Sequence, residues 1–152
     1  MSKVPGKPLY PVVYLIAALG FMVALDRWFP LIDVGFWAAR MFGWSLVVIA
    51  IVGVMAGDLK FRQAGTTILP FEDSMMLVTT GIFQMSRNPI YLFMTLGLAG
   101  LVFVLGSLTP VAIMLAFPVI IHHKIIPIEE HLLEERFGEK YTDYKMHVRR
   151  WL

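Results

Sequence analysis

Cysteine is absent from this chain of 152 residues, and charged residues make up only 16% of it. Without cysteine, disulfides, thiolate metal sites and cysteine nucleophiles are excluded. The net charge of +2 is small and falls in loops and the C-terminal tail, so nucleic acid is not an expected partner. Hydrophobic residues account for 58% of the chain, against about 45–50% in soluble domains. This composition predicts an integral membrane protein.

Four apolar segments can be marked, at about residues 9–25, 34–56, 90–105 and 111–126. Each approaches the length that a membrane-spanning helix needs, which is about 20 residues and in short cases roughly 17. The last two segments cannot form one helix, because it would be about 55 Å long in a hydrocarbon layer of roughly 30 Å. The "GSLTP" at residues 106–110 is therefore predicted to be the tight turn of a helical hairpin. The predicted fold class is all-α, a polytopic membrane protein with about four transmembrane helices.

Lysine and arginine provide an independent prediction of topology, because short cytoplasmic loops carry an excess of them. They precede the first span, lie between the second and third, and follow the fourth, whereas the loop at residues 26–33 has one arginine against two aspartates. This pattern places both termini in the cytoplasm, and the membrane is expected to be the cytoplasmic membrane of a bacterium or archaeon. The polar loop 57–89 and the tail 127–152 then lie on the same side, where any chemistry is expected. The apolar N-terminal run lacks a clear cleavage site and is interpreted as a retained first helix.

The tail alternates apolar and charged residues, which predicts a cytoplasmic amphipathic helix. Gly138 is well placed to end the first helix of the tail. Tyr141, Tyr144 and Trp151 are predicted to be anchors at the membrane interface.

A helical wheel separates the paired glutamates of the tail. With about 100° between successive residues, Glu129 falls in the middle of an apolar face, whereas Glu130 falls off it and is interpreted as part of a solvated edge. A carboxylate that faces apolar packing needs a partner, because an unpaired buried charge is costly. Two interpretations stay open: an ion pair with a nearby cation, or a contact with a ligand. The candidate cations are Arg87, Lys124 and Arg136.

Polar residues mark the point where the loop enters the third span. Pro89 suits the first turn of a helix, and Asn88 before it is a reasonable N-cap. The simpler interpretation is a capped helix start with Arg87 reaching to the interface. In the alternative, backbone N–H groups, an amide and an arginine form a polar pocket, with Tyr91 adding a hydroxyl.

The histidines do not predict a metal site. Adjacent His122 and His123 point to different faces of a helix, and no carboxylate follows either at the spacing of a zinc-binding helix. No metal is therefore expected.

Three stretches together carry a family resemblance: "FRQAGTTILP", "LVTTGIFQMSRNPIYL" and "EEHLLEERFGEKYTDYKMHVRRWL". They resemble the isoprenylcysteine carboxyl methyltransferase and phospholipid methyltransferase superfamily of membrane enzymes, in its short bacterial form. The resemblance covers residues 61–152. It implies binding of S-adenosylmethionine and transfer of its methyl group to a membrane lipid or a lipophilic small molecule.

The resemblance also implies which residues contact the cofactor. They lie before and within the polar hinge, which is "GIFQMSRNPIY" at residues 81–91, at the start of the third span and in the tail. This predicted set comprises Met75, Met76, Leu77, Val78, Phe83, Arg87, Asn88, Pro89, Ile90, Tyr91, Glu129 and Glu130. The chemistry of the cofactor fits such a set, because a carboxylate suits its ammonium, donors suit its carboxylate, and apolar walls suit adenine and sulfonium.

Departures from the family pattern bear on the methyl acceptor. Phe83 stands where the family usually has tyrosine, Asn88 where eukaryotic members have histidine, and Ile125 where they have a substrate-binding arginine. A lipid amine or a small lipophilic thiol or amine is therefore ranked above prenylcysteine as acceptor. Gly97 and Gly100 in the third span allow either close helix packing or a lateral gap for a lipid tail. Two other functions stay open, an NADPH-dependent membrane reductase and a non-catalytic membrane scaffold.

Overall fold

The structure, a computed structural model, describes residues 11–33, 35–65 and 76–152, and its regular elements are helical. The helices are α1 (Pro11–Trp28), α2 (Trp37–Gln63), α3 (Pro89–Leu105), α4 (Val111–Ile120), α5 (Ile126–Phe137) and α6 (Glu139–His147), with a 3-10 turn at Gly81–Gln84. By length and composition Pro11–Trp28, Trp37–Gln63 and Val111–Phe137 can each cross a membrane, and Pro89–Leu105 is a shorter apolar helix. The predicted all-helical, polytopic membrane fold is confirmed.

The first two helices extend beyond the apolar segments that predicted them. α1 ends at Trp28 and α2 at Gln63, whereas the predicted segments end at residues 25 and 56. In α2 the added turns are polar, and an ion pair of 2.6 Å between Arg62 and Asp58, one turn apart, supports them. Residues 9, 10 and 34, with which the predicted segments begin, lie outside the described residues.

The fourth span and the first helix of the tail form one continuous helix. α4 passes into a π-helical segment, Ile121–Ile125, and this segment passes directly into α5. The helix therefore does not stop at residue 126, where the apolar segment ends, and Pro127 lies inside it, two residues after the π-helical segment. The paired glutamates are therefore carried on a helical extension of the span. A π-helical turn of this kind often marks a functional site.

The predicted turn between the third and fourth spans is present. Gly106 ends α3 with φ of 96°, a left-handed conformation that favours glycine. The turn is tied to the end of α1 and to the residue after it, because the Ser107 hydroxyl donates to Asp26 at 2.6 Å and the Thr109 hydroxyl donates to the Phe29 carbonyl at 2.6 Å. These bonds hold the hairpin against α1 at the end of the bundle away from the paired glutamates.

Glycines bring α2 and α3 into backbone contact. A Cβ added at Gly43 would lie 2.6 Å from the Gly100 carbonyl oxygen, and one added at Gly100 would lie 2.6 Å from the Gly43 carbonyl oxygen. A Cβ at Gly97 would lie 3.3 Å from Ala50. Small residues let helix backbones approach in this way. Of the two interpretations of these glycines, close helix packing is therefore the one observed.

The apolar core lies between α1, α3 and the long fourth helix. Met22 of α1, Leu98 of α3 and Ile121 of the π-helical segment are almost completely buried in it. Ile125 and Ile126 continue the core up to the first turn of α5. The apolar core therefore ends within one helical turn of the paired glutamates.

Candidate functional site

Both glutamates of the pair face the interior, which corrects the interpretation of Glu130 as part of a solvated edge. Glu130 is 6% exposed and is the more completely enclosed of the two. The wheel assumed that α5 buries a single face, but α5 packs against the start of α3 and against the C-terminal end of the chain. Two neighbouring positions, about 100° apart, are therefore both covered.

Glu129 has a phenol as its partner. The Tyr91 hydroxyl, from the first turn of α3, donates a short hydrogen bond to the Glu129 carboxylate. Tyr91 is itself buried in the apolar core, and its carbonyl accepts a bond of 2.8 Å from Thr95. Among the described residues no lysine or arginine forms an ion pair with Glu129. The ion-pair interpretation of this carboxylate is therefore wrong for the described cations.

Glu130 carries the ion pairs instead. Arg150 approaches it with two nitrogens, Nε at 3.0 Å from Oε1 and Nη2 at 2.7 Å from Oε2. Arg87 Nη2 donates to Oε1 at 2.8 Å, and Lys145 Nζ lies 3.8 Å from Oε2. The hydrogen bond to Glu130 raises the pKa of Arg150, so its guanidinium keeps its charge. Neighbouring carboxylates thus have opposite surroundings, one neutralised by arginines and the other beside a neutral hydroxyl.

The polar hinge before α3 holds the C-terminal end of the chain, residues 148–151, which we call the strap. The Arg87 backbone N–H donates to the Arg149 carbonyl at 2.9 Å. The Ser86 hydroxyl and the Asn88 amide donate to the Arg150 carbonyl at 3.2 and 3.0 Å. Asn88 occupies the N-cap position of α3, yet its side chain makes no capping bond, which corrects the expectation of an asparagine cap.

Arg87 is enclosed by the strap and by Glu130. Its Nη1 donates to the Lys145 carbonyl at 3.0 Å, in addition to the bond from Nη2 to Glu130. Its Nε is buried and has no hydrogen-bond partner in the described part of the chain. One donor of this arginine is therefore left for another acceptor.

The aromatic residues of the tail make contacts within the protein. Tyr141 is buried, and the Tyr144 hydroxyl donates to the Phe83 carbonyl at 2.5 Å. Burial raises the pKa of Tyr144 to about 12, so the hydroxyl stays protonated and can donate. Trp151 Nε1 donates to His122 Nδ1 at 3.0 Å, with the two rings stacked. Because Tyr141 is buried, the prediction that it is an interfacial anchor is wrong, whereas for the half-buried Tyr144 and Trp151 this role stays a prediction.

The predicted cofactor residues fall into separate groups. Phe83 packs edge to face on Phe61 of α2, with ring centroids 5.1 Å apart, and Ile90 lies against Gly57 of the same helix. Pro89 is buried at the first position of α3. Met76 is exposed, Leu77 and Val78 are half-buried, and Met75 lies outside the described residues. The structure brings Tyr91 together with Glu129 and Arg87 together with Glu130, and it connects Asn88 to Glu130 through Arg150 of the strap.

Sequence reasoning missed the residues of the strap and His122. Arg150 Nη1 lies 3.1 Å from His122 Nε2, so Arg150 and Trp151 both contact this histidine. No group of three or more metal-ligating side chains occurs within residues 11–33, 35–65 and 76–152. His122 thus belongs to the surface on which the strap packs.

This arrangement is suited to binding a cationic group. A carboxylate enclosed by apolar packing, with one phenol and no ion pair to a described cation, is stabilised by a positively charged partner. The adjacent Glu130 cannot take that role, because its charge is already compensated. The apolar side chains Tyr14, Met94 and Ile126 belong to the packing beneath the pair. The site therefore combines one available anion with an apolar floor.

Among the comparisons with known proteins, the family model and one relative are methyltransferases, and a second relative is a metal-resistance protein. Residues 38–140 match the family model described as phospholipid methyltransferase. The chain is 25% identical over 144 residues to protein-S-isoprenylcysteine O-methyltransferase B of Arabidopsis thaliana, which covers 91% of the chain and 71% of that protein. It is 37% identical over 68 residues to the nickel-cobalt-cadmium resistance protein NccN of Alcaligenes xylosoxydans xylosoxydans, which covers 45% of the chain and 32% of that protein. No solved structure matches significantly.

Proposed function

Because the chain belongs to the phospholipid methyltransferase family, we propose that it transfers a methyl group from S-adenosylmethionine to a lipid or small lipophilic acceptor at the cytoplasmic face of the membrane. The observation that carries the proposal is the Glu129 carboxylate, which is bonded by Tyr91 and left without an ion pair to a described cation. The ammonium of the cofactor is the cation that such a site takes.

The residues present fit the rest of the cofactor. Arg87 Nε is a buried donor without a described partner, and a carboxylate is the acceptor that a guanidinium N–H prefers. Tyr91 supplies aromatic surface beside Glu129, and Met94, three residues further along α3, packs against the apolar core. When bound, S-adenosylmethionine supplies an electrophilic methyl group on a sulfonium. Glu129 and Arg87 would hold its amino-acid part.

In such a reaction the protein mainly aligns the acceptor with the methyl group and the sulfur, and it keeps water out of the site. Tyr91 fixes the rotamer of Glu129 from a neighbouring helix, so the carboxylate is oriented before a ligand arrives. The core residues Ile125 and Ile126 close the site from below. No covalent nucleophile is needed, in keeping with a chain that has no cysteine.

We rank a lipid amine or a small lipophilic thiol or amine above prenylcysteine as the acceptor. Ile125, which stands where eukaryotic members have a substrate-binding arginine, is fully buried in the core. It can neither pair with an acceptor carboxylate nor turn toward one without opening the core. We therefore do not expect this chain to share the acceptor class stated in the name of the Arabidopsis relative.

The function is tested by incubating membranes that contain the protein with methyl-labelled S-adenosylmethionine and then extracting lipids and small molecules. We expect label in a lipid or lipophilic amine or thiol that is stable to base. Label only in base-labile methyl ester on a prenylated thiol would overturn the ranking of acceptors. Binding of NADPH but not S-adenosylhomocysteine by the purified protein in detergent would favour the reductase, and binding of neither would favour the scaffold.

The cytoplasmic face is tested separately. The excess of lysine and arginine on one side predicts that both termini and the paired glutamates lie in the cytoplasm. Reporter fusions at Asp33 and at Gly65, which lie at opposite ends of α2, should report opposite sides of the membrane, with Gly65 cytoplasmic. The same side for both fusions, or Gly65 outside, would contradict this topology.

A further inference from the structure

One residue of the strap touches both helices that build the proposed site. The Arg150 carbonyl accepts hydrogen bonds from Ser86 and Asn88, at the start of α3. The Arg150 side chain makes two hydrogen bonds to Glu130 of α5. Main chain and side chain of the same residue thus tie α3 to α5.

The two anchor points lie next to the residues that matter for binding. Asn88 precedes Tyr91 by three residues, which is less than one helical turn, and Glu130 follows Glu129 directly. The contact between Tyr91 and Glu129 depends on the relative position of α3 and α5 at this level. A residue that fixes this position therefore also fixes the orientation of the Glu129 carboxylate.

The end of the strap has a third attachment, on the π-helical segment. Trp151 donates to His122 Nδ1 and stacks on the imidazole, and the centroids of the two rings are 6.3 Å apart. Since Nδ1 accepts from Trp151, the neutral imidazole carries its proton on Nε2, so Arg150 Nη1, 3.1 Å from Nε2, contacts the ring without donating a hydrogen bond to it. The strap thus contacts the start of α3, α5 and the π-helical segment. These hydrogen bonds and the ring stacking are more specific than the apolar packing of an amphipathic tail on a helical bundle would require.

We propose that Arg150 is a positioning residue of the methyl-transfer site, which acts through Glu130 and Asn88 to hold Glu129 toward the cofactor. The inference rests on the proposed function. Arg150 itself does not touch the reacting groups.

The test compares two adjacent arginines in the intact protein. Arg150→Ala should raise the Kd for S-adenosylhomocysteine about tenfold, a usual size for coupling between contacting residues. The variant should still fold, because Arg87 remains paired with Glu130. Arg149→Ala removes the same charge one position earlier from an exposed side chain, and its main-chain carbonyl can still accept from Arg87. We expect its Kd to stay within twofold of the native value.

A conservative variant separates positioning from packing. Arg150→Lys keeps the charge but cannot present two parallel N–H groups to Glu130. It should recover part of the affinity that Arg150→Ala loses. The thermal midpoint in detergent is measured for every variant, so that affinity is compared only among proteins folded at the assay temperature.

A readout that needs no ligand follows from the absence of cysteine. Spin labels attached at Met85→Cys in the hinge and Leu152→Cys after the strap are both on exposed positions. The label distance should be narrowly distributed in the native background and clearly broader with Arg150→Ala. Arg149→Ala should leave the distribution narrow.

The outcomes are distinguishable. A lower thermal midpoint for Arg150→Ala with an unchanged Kd, or equal losses of affinity for Arg149→Ala and Arg150→Ala, would overturn the positioning role and leave the proposed function intact. An unchanged label distribution would also overturn it. No binding of S-adenosylhomocysteine by the native chain would overturn the proposed function and the inference with it.

Discussion

Glu129→Gln is expected to weaken binding of S-adenosylhomocysteine by about 1.5–3 kcal/mol, roughly 10- to 150-fold in Kd, while the protein stays folded. The substitution removes the negative charge and keeps the shape. The Gln oxygen can still accept the Tyr91 hydroxyl hydrogen, so the link between α3 and α5 survives. What is lost is the charge-assisted bond to the ammonium of the ligand.

The matched control lies on the same helix. Glu135→Gln makes the same change of charge at an exposed position, where the carboxylate lies 3.4 Å from an exposed histidine, His131. Its effect on Kd should be less than twofold, because an exposed charge is screened by water and salt. Isothermal titration calorimetry on both variants measures the difference. Equal Kd values for Glu129→Gln and the native protein would exclude Glu129 as the partner of the ammonium.

The spans and the hairpin turn could be predicted because they depend on local properties of the chain. The length of an apolar run limits how a helix crosses the bilayer. The turn at residues 106–110 follows from a glycine that adopts a left-handed conformation and a proline just before the next helix. The helix ends were less accurate, since α2 continues through a polar turn that Asp58 and Arg62 stabilise. Hydrophobicity alone does not detect such a turn.

The structure of the site could be predicted only in part, because its contacts join distant parts of the chain. The wheel placed Glu129 inside, which the structure bears out. It placed Glu130 outside, because a wheel describes one helix and does not include the strap that covers a second face. Asn88 and Arg150, which meet in the strap, are 62 residues apart in sequence. The sequence did contain one signal for the strap. The tail ends in two arginines and a tryptophan, and it also carries two adjacent carboxylates that would need cations if they were buried.

Glu130→Gln is expected to lower the free energy of unfolding by about 3 kcal/mol, the usual cost of removing one partner from a buried ion pair. The substitution leaves Arg87, whose side chain is 8% exposed, and Arg150, at 28%, without their shared anion. A glutamine oxygen can accept from one guanidinium, but it cannot neutralise two. Because Arg150 would lose its hold on α5, affinity for S-adenosylhomocysteine should fall as well. The two adjacent glutamates thus differ in kind: Glu129→Gln affects binding alone, and Glu130→Gln affects both stability and binding.

The comparison that isolates burial is Glu134→Gln, one turn further along α5. Glu134 accepts a bond of 2.5 Å from Lys145, but both side chains are 39% exposed, and exposed pairs contribute only about 0.2–1 kcal/mol. Unfolding in mixed micelles, followed by circular dichroism, gives the two free energies. Glu130→Gln combined with Arg150→Gln should cost less than the sum of the single changes, because the second substitution removes a cation that the first left unpaired. A loss for Glu130→Gln as small as the loss for Glu134→Gln would mean that water already solvates both guanidinium groups, and the strap would then lack a charged anchor.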